Sequence, residues 1–458
     1  MRLATLALAG ALLAASGAQA TLRPAPVGTR AALRVGDWQL GAPALALLGR
    51  VARIKQPEAS AQAVAAAALE DRIVGEYARA SVGDDALFDN RLVALTPEAS
   101  AEASLYASIE TAWHAELAKA FTADGGLGHV VRRHPLTPER LRGLLGAGAQ
   151  VRLDDRLPPA REAALADVVL VEWRLAAHDS GRATLADVWH RMTLQERNAL
   201  YNGDAAYAMH QAEDLARRAA VRHWVSVHAG LDDGDFDALL ALVADHDRRI
   251  AYARWSGAIA EDHYHSAELE RLRKEVSDDD VHRWYDAHPD AFKRTERVRA
   301  RHVHCTDEER CDRASAALKR GQSFGDVARR DSQAPDAAAG GELGWIAAER
   351  ARREWLAQLA FALPPGPPSA PLRAPGAEGG ENAEGGWEIV QVLERVEGRH
   401  PADSEAVRFG ASSAIARDRA AARFGELRMR LLAQADIELN PALLGFGPEA
   451  LDAAEAAR

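Results

Sequence analysis

The chain changes its hydrophobic period once, near residue 295, and that change limits the architectures open to it. From Leu33 to about Asp290 apolar residues recur at helical spacing, as at Leu45, Leu48, Val51 and Ala52 or at Leu69, Ile73, Val74 and Tyr77, which marks helices that bury one face. After Thr295 the run RVRARHVHC alternates like a strand. DEERCDRASAALKRG reads as a helix with a glycine stop and FGDVARRDS as a second helix; a turn-rich segment holding GGELGW follows, then a helical stretch to Leu363 and a final strand, WEIVQVLERV. The expected class is α+β: a mainly helical domain over 21–294, a sheet-and-helix module over 295–398, and a helical tail over 399–458 that packs on the helical domain. Breaks inside the helical part fall at Thr96-Pro97, around Gly125 and at Leu157-Pro158-Pro159, where glycine and proline interrupt the pattern.

With 458 residues, 48% of them hydrophobic, the chain can bury more than one core. Its first twenty residues, MRLATLALAGALLAASGAQA, join a basic start at Arg2 to a short apolar run and the ending Ala18-Gln19-Ala20. That pattern is a secretory signal peptide cleaved after Ala20. The apolar run is too short to span a membrane, and no later segment comes closer without charges. An exported, periplasmic or otherwise secreted chain without an integral membrane segment is expected. A net charge of −11 excludes a general nucleic-acid binder, which needs a concentrated basic face; protein or peptide partners fit better. Cys305 and Cys311 are the two cysteines. An oxidising compartment would allow a bridge between them, but spacing does not decide between a bridge and two buried thiols, because the Cα atoms must come within about 7 Å.

Several constellations have bland explanations. Trp113, Trp173, Trp189, Trp224 and Trp255 read as core aromatics between helices. His263 and His265 point to different sides of a helix, and Ser277 followed by Asp280 is a helix cap. The cluster His302, His304, Cys305 and Cys311 would need ligands converging from both sides of a sheet, so no metal is expected. There is no P-loop, nucleophile elbow, zinc-protease helix or dinucleotide fingerprint, and no cofactor is expected.

RVRARHVH, SFGDVARRDS, AAAGGELGWI, FALPPGPPSAPL and GGWEIVQVLERVEG resemble, in order and spacing, the parvulin-type peptidyl-prolyl cis-trans isomerase domain, also called PpiC or rotamase, over 295–398. VSDDDVHRWYDAHPDAFKRTERVRARHV looks like the approach helix to this domain in periplasmic folding factors of the SurA family. VGDWQLGAPALALLGR is similar to the start of their helical chaperone region. The resemblance implies a fold, an activity on X-Pro bonds and unfolded or proline-containing client polypeptides as partners. Rotation about an X-Pro bond faces a barrier of about 18–20 kcal/mol. A site lowers it by gripping the prolyl ring in an apolar socket and favouring the twisted amide with hydrogen bonds placed in advance.

Carried over residue by residue, the resemblance puts His302 where the first of two facing core histidines stands, and Leu343 in the proline pocket. Trp355 takes the place of a pocket phenylalanine, and Phe361 and Trp345 are further candidates for substrate contact. The pocket methionine has no counterpart near Arg350 or Ala351. Ala334 occupies a position that usually carries cysteine or aspartate. Glu388 stands where the second histidine belongs. It shares a period-2 face with Val390 and Val392 and so points inward; a buried carboxylate needs a donor, and His302 is the candidate, with a raised imidazole pKa as the consequence. A catalytic proton role for Glu388 competes with this structural one. The passage LRAPGAEGGENAEGG before Trp387 is longer than the family's turn and reads as solvated slack or as a flap. Two functions follow: an exported prolyl isomerase with a degenerate, weak site, or a non-catalytic chaperone that uses the parvulin fold to bind unfolded chains.

Overall fold

The computed structural model describes residues 21–24, 30–88, 95–122, 131–146, 157–176, 179–259, 265–375 and 385–445. The signal-like first twenty residues, His263 and most of the glycine-rich insert lie outside the described residues. The chain divides into two compact units, 1–270 with 417–458, and 271–416.

In the larger unit the helices α1 (Ala42–Lys55), α2 (Ala61–Ser81), α3 (Pro97–Ala112), α4 (Ala205–Ala229) and α5 (Asp233–Trp255) carry most of the mass. Their starts are written locally. Ser60 accepts the Ala63 amide at the head of α2, Thr96 does the same for Ala99 ahead of Pro97, and Asp232 caps α5; each satisfies an amide that the helix leaves unpaired. Leu47, Leu69, Leu105, Ile109, Val221, Phe236 and Leu239 fill the core between them. Gly75 lets α2 and α5 meet closely, since a Cβ there would overlap the Asp245 backbone. Beside that crossing the buried Asp245 accepts from Arg72 at 2.5 Å and from Arg248 at 2.9 Å.

This unit also holds two small sheets that helical periodicity did not announce. β1 (Thr21–Pro24), β2 (Ala31–Val35), β3 (Trp38–Gly41) and β11 (Asp436–Leu439) form one, in the order β1-β11-β2-β3, with β1 parallel to β11. β4 (Val131–Arg133), β5 (Val169–Ala176) and β6 (Asp179–Thr184) form the other. The VGDWQLG stretch at the head of the expected helical region thus folds as the β2–β3 hairpin, and α1 begins only at Ala42.

The smaller unit is built on an antiparallel sheet of β7 (Lys293–Cys305), β8 (Glu342–Ala347), β9 (Leu372–Arg373) and β10 (Trp387–Arg399), in the order β8-β7-β10-β9. Helix α6 (Asp278–Ala287) precedes it and starts on the Ser277–Asp280 capping box. Val281 of α6 packs with Val407 and Ala411 at the start of α10 (Glu405–Gln434). Alternation along β7 and β10 divides the sheet into two faces. Val303, Cys305 and Ile389 pack with Cys311, Ala314, Phe324 and Val327 of α7 (Glu308–Lys319) and α8 (Phe324–Asp331). On the other face Val298, Ala300, Val390 and Val392 pack with Ile346 and with Ala357 and Ala360 of α9 (Trp355–Ala362). Cys305 and Cys311 are bonded, with Cα atoms 5.6 Å apart, and both are fully buried. The bridge ties the end of β7 to the first turn of α7.

Candidate functional site

The register of β7 and β10 sets Glu388 opposite His304 and Val390 opposite His302. Directly paired residues of an antiparallel sheet turn their side chains to the same face, so His302, His304 and Glu388 rise together from the face that carries Ala300, Val390 and Val392. Glu388 bridges the two rings: its Oε2 lies 2.8 Å from Nδ1 of His302 and its Oε1 2.8 Å from Nδ1 of His304. Glu388 and His302 are each 6% exposed, so both depend on these bonds to offset lost hydration. Gly386 makes room for the cluster, because a Cβ there would strike the His304 ring.

A fourth member comes from the segment between α8 and β8. Both oxygens of Asp336 lie 3.1 Å from Nε2 of His302. The segment is strapped to β7 by backbone and side-chain bonds: the His302 amide donates to the Gly341 carbonyl at 2.8 Å, the Gln333 amide to the His304 carbonyl at 2.7 Å, and the His304 amide to the Ser332 hydroxyl at 3.1 Å. Gly341 has φ +73°, and a Cβ on it would collide with the His302 carbonyl oxygen. Only glycine fits this crossing without strain, which explains the second glycine of GGELGW. Burial works against charge on His302, but the bonds and fields of Glu388 and Asp336 outweigh it and raise its pKa above the ordinary 6.5.

The apolar candidates separate into two groups. Leu343 and Phe361 join the cluster of Val298, Ala300, Ile346, Val390 and Val392, on the same face as His302. Trp355 opens α9 and is half-buried. Trp345 does not join them. Its register partner is Arg299, so strand alternation turns it to the opposite face, where it is 43% exposed with the Arg297 guanidinium 4.6 Å above its ring. Leu343 and Trp345 are two apart, yet the irregularity between Ala300 and Arg301 in the β7–β8 pairing breaks simple alternation there. The Ser-x-Pro stretch docks on the edge of β10, with the Ser369 amide donating to Val390 at 2.8 Å and the Ser369 hydroxyl accepting from the Val390 amide at 3.0 Å.

Sequence reasoning missed Asp336, whose only signal was a carboxylate two residues beyond the apolar Ala334, and gave His304 no role beyond a rejected metal site. Among the described residues no group of three His, Cys, Asp or Glu is arranged to hold a metal ion, and no helix is long and apolar enough to cross a membrane. A separate hollow in the larger unit is lined by charges already paired, Arg30 with Asp232 and Arg34 with Glu438.

Residues 276–408 match the family described as the PPIC-type PPIase domain. The foldase protein PrsA of Bacillus subtilis (strain 168) is 34% identical over 77 residues, which are 17% of this chain and 26% of PrsA; the match spans about a quarter of that relative. Among solved structures, a PpiC-type peptidyl-prolyl cis-trans isomerase domain is 29% identical, covering 23% of this chain and 97% of its own, with a TM-score of 0.18. A SurA-like chaperone of Campylobacter jejuni is 18% identical, covering 52% of this chain and 83% of its own, with a TM-score of 0.21. The family match, lying over the four-stranded sheet and its histidine–carboxylate cluster, identifies the smaller unit as a parvulin-type domain of the PPIC family.

Proposed function

We propose that the chain is an exported folding factor whose PPIC domain isomerises X-Pro bonds in secreted or outer-membrane client proteins, with weak catalysis. One observation carries the reading: in a PPIC-type domain, the apolar patch of Leu343 and Phe361 shares a sheet face with the His302–Glu388 pair. The apolar patch, with Trp355 at its helical rim, is the socket for the prolyl ring. Isomerisation makes and breaks no covalent bond. The work is to strip water from the amide and to favour its twisted form over the planar one. Glu388 acts in this reading through His302 rather than as a proton donor.

A specific feature favours the second reading, a chaperone that uses the domain to bind without turnover. Both ring nitrogens of His302 are engaged by carboxylates within the protein, so the polar end of the cleft has few donors left for a substrate amide. Ala334 and the missing pocket methionine point the same way.

The test uses the mature chain on a proline-containing peptide, with wild type beside His302→Ala and Leu343→Ala, and a parallel assay of aggregation of an unfolded client. A rate above background that falls in both variants supports the isomerase. Protection of the client without rate enhancement selects the chaperone. Glu388→His together with Ala334→Asp is expected to raise the isomerisation rate, and no gain from the pair would overturn the degenerate-site account.

A further inference from the structure

A neutral imidazole has one N–H and one bare nitrogen. His302 faces a carboxylate at each end: Glu388 at 2.8 Å from Nδ1, and both oxygens of Asp336 at 3.1 Å from Nε2. With a neutral ring, one lone pair would point at an anion. With a doubly protonated ring, both contacts become charge-assisted hydrogen bonds. We propose that Asp336 is a positioning residue which, with Glu388, holds His302 as an imidazolium with both N–H groups committed, and so supplies from two residues further on the polar member that Ala334 lacks.

Two carboxylates favour this charge state against the burial of the ring. Glu388 comes from β10; His304, on β7, is hydrogen-bonded to the far oxygen of the same carboxylate; Asp336 comes from the segment before β8. Helix α9, packed over the same face, has no ionisable residue in its span Trp355–Ala362, and turns Ala357 and Ala360 inward. The Asp336 backbone is tied to the glycine that crosses β7. Its carbonyl accepts from the Gly341 amide at 3.0 Å, and Gly341 in turn accepts from the His302 amide at 2.8 Å. The backbone that carries Asp336 therefore cannot shift away from β7 without loosening the strand that carries the histidine. The Asp336 side chain keeps 28% of its exposure, so it stands at the solvent side of the cluster while Glu388 closes the buried side.

For the site this means a ring of fixed orientation and persistent positive charge. On the reading that this face handles prolyl peptides, the charge would not be lost near neutral pH, and function would decline only as the pH rises through the raised pKa of His302.

Ring ¹⁵N and ¹H signals of His302, assigned with His302→Gln, can be followed against pH in the full chain and in Asp336→Asn. The expected result is two protonated ring nitrogens at pH 7 in wild type, and a proton affinity about tenfold lower in Asp336→Asn, the size of effect a neighbouring opposite charge produces. Asp336→Glu should recover most of it. A single protonated nitrogen at pH 7, or an unchanged midpoint in Asp336→Asn, overturns the proposal. The alkaline limb of the isomerisation rate, or of peptide affinity if there is binding without turnover, should move down with the midpoint; a limb that stays put assigns Asp336 to structure alone and also overturns it. Absence of isomerisation would count against the function proposed above, while the ring signals would still decide the charge of His302.

Discussion

Asp245 in the larger unit and His302 in the smaller one face the same difficulty, an ionisable group held away from water, and meet it with different partners. Asp245, 0% exposed, lies between the guanidiniums of Arg72 and Arg248, cations that do not titrate in proteins. His302, 6% exposed, lies between Glu388 and Asp336, and is itself the side chain whose ordinary pKa falls nearest neutrality. The first cluster is a fixed fastening between α2 and α5. The second can change its charge over an accessible pH range. The placement differs too: the helical unit sets its buried charge at a crossing of two helices, and the PPIC domain sets its own on the sheet face that carries the apolar cluster of Leu343 and Phe361.

The comparison can be broken most directly by removing the carboxylates. Asp245→Ala takes the shared buried carboxylate from Arg72 and Arg248, which keep Glu76 and Asp84 as partners, and should cost about 3 kcal/mol, the low end for breaking a buried pair, read as a lower urea midpoint for the larger unit. Glu388→Ala takes one bond from each imidazole but leaves His302 paired with Asp336 and able to shed its charge, so a smaller loss of about 2 kcal/mol is expected, confined to the smaller unit. Should Glu388→Ala prove the costlier, the distinction between fixed and adjustable clusters fails. Replacing both Cys305 and Cys311 by alanine opens a short loop and should cost about 2 kcal/mol, again in the smaller unit, while leaving the His302 titration in place because the bridge lies on the opposite face.

The mildest probe is pH. The folded-state pKa of His302 is raised, so its contribution is complete below the unfolded value of about 6.5 and is lost as the pH rises through the folded value. The smaller unit should therefore weaken by up to about 1.4 kcal/mol per pH unit across that window. Burial also lifts the Asp245 carboxyl, against the pull of both guanidiniums, and its loss begins in the acid range above 3.8. Thermal unfolding of each unit between pH 6 and 9, followed separately, would sharpen the contrast if only the smaller unit responds.

Much of the site could be read without coordinates because it depends on parity. Glu388, Val390 and Val392 share a face by the two-residue period of a strand, as do His302 and His304, and pairing the two strands in register brings carboxylate and imidazoles together. Asp336 was not legible, since it reaches His302 across 34 residues of chain through a loop whose path depends on Gly341 crossing the β7 backbone. Trp345 was misplaced because a register shift beside Ala300 separates it from Leu343 in a way no spacing rule anticipates. The β1-β11-β2-β3 sheet of the helical half was hidden for a related reason: strands of four or five residues show too little alternation to stand out, and β1 finds β11 more than four hundred residues away.

By itself the amino-acid sequence determined the helices, their caps, the two faces of the central strand pair and the family of the module they build, because each of these is set by neighbours within a turn or two of chain. Which carboxylate reaches the far side of His302, whether Cys305 and Cys311 meet, and how distant strands close their sheets were decided only by the tertiary structure. Those outcomes depend on distances between segments far apart in sequence, and such distances exist only once the backbone has been folded.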